Sequence, residues 1–394
     1  MLIAKRVAVL ATLLTAFSGI AGCNNSRSTS NQTRQADGQS TKSAKWIAQY
    51  RSPLTTGLTG PNLTSYFYSG ISVVNQNVVF VCGDMPAGKN SDERIGVVLK
   101  TVDGGQKWSE STMHAPGMSI TTLNGIHFIN ENMGWLVGAE GSEDSRSGVV
   151  LKTTDGGTSW SAARLVGKQI PTTVLFTDEN TGFIGGATPP PGEDVGEGGP
   201  SAILGTTDGG KTWQPQINLS ISMYDLYFLD KMNGWASGSK GSIYHTNDGG
   251  RTWNSQRTEI ETGESIVVPG TEGSKLFRVL GVQFTDPDHG FAAAAAEEED
   301  AGRLLATTNG GVSWTRQWVK PDSGIRDTFF LNRDEGWAVT ERGSFVYHTV
   351  DGGRTWLSEQ EVFEQECTLV RIGAADASHV WAVGASAVFF RVSD

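Results

Sequence analysis

Short apolar runs alternate with turn-forming residues along almost the whole chain, as in Val97-Val98-Leu99 or Ile243-Tyr244. Runs this short, bounded by Gly, Asn and Asp, read as β-strands rather than helices. One polar pattern punctuates them six times: Thr-x-Asp-Gly-Gly-x-x-Trp. The copies begin at Thr101, Thr153, Thr206, Thr246, Thr307 and Thr349, and their central residues are Asp103, Asp155, Asp208, Asp248, Asn309 (in place of Asp) and Asp351. Each copy follows an apolar run and precedes another extended stretch, so it is predicted to be a hairpin turn. The chemistry is local. An Asp or Asn oxygen accepts backbone N–H groups a few residues on, and paired glycines reach positive φ without a Cβ clash. The Trp covers the turn. Asn309 offers the same oxygen, so the fifth turn should form like the others.

A second motif precedes each turn: an apolar strand, a polar turn, then Gly with an aromatic. It is seen at Ile126 to Phe128 with Gly134-Trp135, and at Leu226 to Phe228 with Gly234-Trp235. Further copies are Thr328 to Phe330 with Gly336-Trp337, Val174 to Phe176 with Gly182-Phe183, and Val282 to Phe284 with Gly290-Phe291. A last copy runs from Leu369 to Val380-Trp381, and a weaker first one from Ile71 to Phe80. Seven strand pairs with six complete turns predict an all-β, seven-bladed β-propeller of four-stranded antiparallel blades. The last unit stops at its third strand, Val388 to Arg391. Trp46 to Arg51 matches the Trp-plus-strand that follows every turn, so it is expected to close the last blade. That closure removes an open edge.

Composition agrees with this architecture. The chain has 394 residues, 50 of them Gly, and only 19% are charged, which suits many strands and tight turns. The formal net charge of −11 argues against a nucleic-acid partner, which needs a basic surface. Residues 1–22 read as a targeting segment: Lys5 and Arg6, an apolar stretch from Val7 to Phe17, then Ile20-Ala21-Gly22-Cys23. The tetrapeptide resembles the bacterial lipobox, which implies lipidation at Cys23; the alternative is a plain secretory signal. Asn24 follows the cysteine, which favours outer-membrane sorting in a host with two membranes. Residues 23–45 are almost free of large apolar side chains and read as a flexible tether of roughly 25 Å reach. The propeller is assigned to residues 46–394.

The turns and the Gly-aromatic strand pairs together resemble bacterial neuraminidase (BNR) or Asp-box repeats. The joint pattern is most similar to the photosystem II stability/assembly factor-like propellers. That resemblance covers about residues 46–394. It implies an exported, partly lipid-anchored domain that binds protein partners and helps assemble membrane complexes. It specifies the fold far more than the role.

Eleven of the twelve tryptophans fall at repeat positions, leaving Trp318 as a weak ligand candidate. His245 and His348 occupy equivalent Tyr-His-Thr positions, and no histidine or cysteine spacing marks a metal, so neither metal nor cofactor is expected. Cys82 and Cys367 fall on blades that adjoin at the closure. A disulfide between them and two buried thiols are both open readings.

Function is expected on the face away from the six turns. Long acidic connections lie there, including Asp92, Glu93, Glu140, Glu143, Asp144, Glu193, Asp194, Glu197 and the run Glu297 to Asp300. They form either a solvated rim or a surface for a basic segment or for calcium, although the Glu297 run lacks the spaced ligands and Gly of a calcium loop. The channel mouth on the same face carries Tyr224, Asp225, Arg278, Arg326, Asp327 and Arg371. Three converging arginines would grip a carboxylate or phosphate, or pair with the two aspartates. A sialidase would need an arginine triad with Tyr, Glu and Asp, and its early Arg-Ile-Pro signature is absent. Carboxylate pairs for glycan hydrolysis stay open, because acids are abundant. A non-enzymatic scaffold is therefore the first expectation and a glycan-binding or glycan-hydrolysing propeller the second.

Overall fold

A computed structural model describes residues 44–52, 66–87, 93–115, 117–142, 145–188, 201–256, 277–296, 302–320, 323–341, 345–359, 368–385 and 387–392. The described chain is all-β: twenty-eight strands in seven antiparallel sheets of four. Six sheets use four consecutive strands. The seventh has the order Lys45–Arg51, Ala387–Val392, His379–Gly384, Leu369–Asp376, so the N-terminal strand closes the ring. The first strands are Phe67–Val73, Ile120–Phe128, Ile170–Phe176, Met223–Phe228, Phe277–Phe284, Ile325–Phe330 and Leu369–Asp376. Each touches the first strand of both neighbouring blades, so these seven line the axis. Cys23, Cys367, the Glu297 to Asp300 run and the insertion at 259–275 lie outside the described residues.

The six turns fold as their sequence dictates. In the second, Thr153 Oγ1 donates to Asp155 Oδ1 at 2.8 Å and accepts the Gly157 N–H at 2.9 Å. Asp155 Oδ1 then accepts the Ser159 N–H at 2.9 Å. The Ser159 hydroxyl and N–H hold the Asp155 carboxyl down at about 2. Gly104 and Gly105 of the first turn sit at φ 70° and 87°, where a Cβ is strained. Asn309 keeps both oxygen contacts, with Thr307 Oγ1 at 2.9 Å and Ser313 N at 3.0 Å. Each turn is tied to the first hairpin of its own blade. The first glycine N–H donates to the carbonyl of Asn77, Asn132, Asn180, Met232, Asp288 or Asp334 in turn. Both sets of turns therefore share one face.

Aromatic sandwiches weld the blades. The residue after the second-strand glycine stacks on the last Phe of the next blade's first strand. Trp135 lies 3.5 Å from Phe176, Trp235 3.6 Å from Phe284, and Phe291 3.5 Å from Phe330. Such a pair contributes about 1 kcal/mol beyond burial. Between blades 6 and 7 the partner position is Ala374, and a polar device replaces the sandwich. Trp337 stacks on His348, and Arg391 lies over the indole. Glu359 accepts from Trp46 Nε1 at 3.0 Å and from Arg391 Nη2 at 2.8 Å, and His348 Nδ1 stands 3.2 Å away. Burial alone would raise the Glu359 carboxyl, but these hydrogen bonds outweigh it and hold it below the usual range. On the other side of the closing blade, Gln49 Nε2 donates to the Gly104 carbonyl at 3.1 Å. Gln256, at the same distance past its Trp, makes the same bond to Gly310 at 2.8 Å. The N-terminal strand thus imitates an ordinary fourth strand down to its contact with the next blade.

Candidate functional site

The channel wall is built on one irregularity repeated in every blade. Where the first strand pairs with the second, the register skips a residue. The skips fall between Tyr68 and Gly70, Leu123 and Gly125, Pro171 and Thr173, and Met223 and Asp225. They recur between Val279 and Gly281, Ile325 and Asp327, and Leu369 and Arg371. A bulge re-aims side chains out of the pleat. Here it brings two successive positions of each first strand against the next blade or the channel.

In blades 1 to 3 those positions are neutral and stitch one blade to the next. Ser69 Oγ donates to the Leu123 carbonyl at 2.5 Å, Asn124 Nδ2 to Pro171 at 2.9 Å, and Thr172 Oγ1 to Met223 at 2.7 Å. In blades 4 and 6 the stitch is a carboxylate. Asp225 Oδ2 accepts the Val282 N–H at 3.1 Å, and Asp327 Oδ2 accepts the Ile372 N–H at 2.9 Å. The intervening blade presents Gly281. A Cβ there would stand 3.1 Å from Asp327 Oδ1 and 3.8 Å from Asp225 Oδ2. Burial raises the Asp225 carboxyl to about 7, with Arg371 opposing and the charge of Asp327 adding to it. Burial raises Asp327 as well, again against Arg371.

Three arginines complete the cluster. Arg326 Nη1 lies 3.2 Å and Arg278 Nη2 3.6 Å from Glu341 Oε1, all three side chains being largely buried. Burial lowers Arg326; Glu341 opposes that, and the charges of Arg371 and Arg278 reinforce it. Arg371 donates to the Val370 carbonyl at 3.2 Å, and among the described residues no carboxylate oxygen lies within 4.0 Å of it. Arg278, Arg326 and Arg371 come from three consecutive blades and feel one another's charge through Arg326. Glu341, just past a second strand, holds two of them. No local pattern in the sequence marks Glu341; only the ring brings it to the mouth.

The six residues singled out at the mouth thus divide. Arg278, Arg326 and Arg371 gather with Asp225 and Asp327 in one electrostatic cluster. Tyr224 is buried against Leu280 and Ala295, with its ring in the interface between blades 4 and 5. The aspartates bind backbone across blade boundaries rather than forming close ion pairs with the arginines.

The other candidates fall into the scaffold. Trp318 packs in the groove between blades 5 and 6, 5.3 Å from Trp356 and 4.8 Å from Tyr347. Of the acidic rim, Glu140 is bound by Arg164, while Asp92, Glu143, Asp144, Glu193, Asp194 and Glu197 lie outside the described residues. Cys82 is a fully buried thiol in the core cluster that blade 1 shares with Ile126 and Phe128 of blade 2, and burial pushes it up to about 12; its pairing with Cys367 falls outside the described residues. His245 and His348 stack on Trp235 and Trp337. His289 and His379 hold the Asp of their own turns. Among the described residues no group of three or more His, Cys, Asp or Glu is placed to hold a metal.

No family model and no curated protein matches the chain. Solved structures share its fold. A structure of YCF48 bound to D1 peptide aligns at 19% identity and TM-score 0.60, covering 90% of this chain and 99% of that one. YCF48 from Cyanidioschyzon merolae aligns at 18% identity and TM-score 0.60, covering 88% and 98%. A GH74 xyloglucanase from Xanthomonas campestris aligns at 11% identity and TM-score 0.56, covering 85% of this chain and 53% of the enzyme.

Proposed function

We propose that this chain is a non-enzymatic, lipid-anchored propeller that binds a protein segment at the arginine-lined mouth of its channel and so assists assembly or stability of a membrane or envelope complex. The observation that carries this reading is the convergence of Arg278, Arg326 and Arg371 from three consecutive blades. Guanidinium groups grouped in this way suit a carboxylate, as at a peptide C-terminus or an acidic side chain. The scaffold likeness to a propeller solved with a bound peptide supports a protein ligand. It also favours an assembly role of the kind that the BNR-repeat, photosystem assembly factor-like resemblance implies. The leader at residues 1–22, lipidation of Cys23 and the tether to residue 45 place the domain on the outer side of a membrane. In a two-membrane host that is the periplasmic side of the outer membrane.

The test is crosslinking in intact membranes followed by pull-down, with wild type beside an Arg278→Ala/Arg326→Ala/Arg371→Ala variant. A protein captured by wild type and lost from the folded variant supports the reading. Glycans co-purifying without protein would sink it in favour of a carbohydrate-binding propeller. Cys23→Ser should move the protein from the membrane to the soluble fraction; unchanged membrane retention would refute the anchor.

A further inference from the structure

The carboxyl pair behind the arginines points to how that site is regulated. Asp225 and Asp327 flank Gly281 from the two blades on either side of it, each fixed by one backbone N–H of the following blade. The absence of a side chain at Gly281 leaves the two carboxyl groups facing across one small gap, with Arg371 the cation that acts on both. Two buried carboxylates this close do not both ionise freely. The same Arg371 also acts on Arg326, which with Arg278 shares Glu341. Charge on the pair is therefore felt at the mouth through a short series of side chains.

We propose that carboxylate binding by the arginine cluster is coupled to proton uptake at the Asp225–Asp327 pair, so that the site grips its ligand more tightly in mildly acidic than in alkaline solution. The inference rests on the reading of the mouth as an anion site. With both carboxyls ionised, their charge offsets Arg371 and opposes an incoming anion. With one proton on the pair, that opposition is removed. Linkage makes the effect reciprocal: a bound anion raises the proton affinity of the pair. The groups facing the pair are Arg371 from blade 7 and Arg326 from blade 6. Arg278 and Glu341 stand one step further out. The Cys82 thiol of blade 1 feels the charge of Arg371 and stays neutral over this range, burial holding it at about 12. Burial places Asp225 at about 7, so the coupling falls in an accessible window.

The probe is a rhodamine-labelled peptide of four aspartates with a free C-terminus, whose carboxylates stay ionised between about pH 6 and about pH 8.5. Fluorescence anisotropy reads its affinity for the full propeller. Wild type should bind about fivefold tighter at the acid end, the size expected for one unit charge at channel distances. Asp225→Asn keeps an oxygen for the Val282 N–H, and should bind at every pH as wild type does in acid. A wild type whose affinity is flat, or an Asp225→Asn variant that keeps the wild-type slope, overturns the coupling while leaving the anion site standing. If folded wild type binds no peptide at any pH, or Arg326→Ala binds as well as wild type, the mouth is not an anion site and both readings fall. Thermal melts of each variant establish folding first.

Discussion

The channel wall has two halves that do the same structural work with different chemistry. In blades 1 to 3 the bulge positions are Ser69, Asn124 and Thr172, followed by Gly70, Gly125 and Thr173. Hydroxyls and an amide donate to carbonyls of the next blade, and no charge is buried. In blades 4 to 7 the same two positions hold Tyr224-Asp225, Leu280-Gly281, Arg326-Asp327 and Val370-Arg371, and two carboxylates accept N–H groups instead. A neutral stitch is self-contained. A carboxylate stitch is not, because a buried charge needs a counter-charge. Where Asp225 and Asp327 take up the stitching from the next position in the bulge, a cation nearby offsets their burial, and Arg371 supplies it. The charged half is thus where a binding site can arise from scaffold residues, and the neutral half is what the wall looks like without one.

The largest break in this contrast lies at the seam, which belongs to the charged half. Deleting Trp46 to Arg51 uncovers the closing strand and leaves Glu359 and Arg391 without Trp46. We expect loss on the order of 5 kcal/mol, from an emptied core position and a disrupted buried pair. Denaturant unfolding reads it, and an unchanged midpoint would contradict the closure. A smaller step is Asp327→Ala, which orphans the Ile372 N–H and removes a counter-charge of Arg371. The expected cost is about 3 kcal/mol. A cost below that of its neutral counterpart would erase the distinction between the halves.

Much of the scaffold was legible in the chain because its signals are local. Thr, Asp and paired Gly fold each turn from within a few residues, and Trp46 announced the closing strand by spacing alone. The bulge ring was not legible, because the seven residues after the skip are Gly, Gly, Thr, Asp, Gly, Asp and Arg. What repeats there is register, not residue type. The arginines of the site could be read because they begin first strands, whereas Glu341 reaches them only through tertiary closure. The surroundings of Tyr224 were hidden for a related reason. Its strand position is that of Ser69 and Arg326, but the neighbours across the interface, Leu280 and Ala295, cover it.

The channel pair and the hairpin turns should also part in their response to pH. Asp225 has a folded-state value of about 7, above its unfolded one, so the folded protein holds more protons between about 4 and about 7. Stability should therefore fall as pH rises through that window and level off above it. Asp225→Asn should flatten the slope. The turns act with opposite sign. Asp155 and Asp248 are held at about 2 by the serine or threonine hydroxyl and N–H four residues on, so their contribution is present above the ordinary carboxyl range and fades as pH falls toward 2. Midpoints in urea across this range separate the two. A stability that rises from pH 4 to 7 in wild type and in Asp225→Asn alike would show that the channel pair is ionised as usual.

The mildest expected effect sharpens the contrast from the neutral side. Thr172→Val removes the hydroxyl that donates to the Met223 carbonyl while keeping shape and volume. The carbonyl that loses it keeps its second lone pair for other partners, and no charge is exposed. The loss should be about 1 kcal/mol, the usual net worth of a neutral hydrogen bond, with peptide affinity at the mouth unchanged. Thr172 and Asp327 differ in type but occupy neighbouring places in one bulge ring. If Thr172→Val costs as much as Asp327→Ala, the expense comes from the bulge itself and the charge on the wall adds nothing. If it is mild in stability and silent in binding, the ring is a common frame, and the charged half has acquired its site by substitution within that frame.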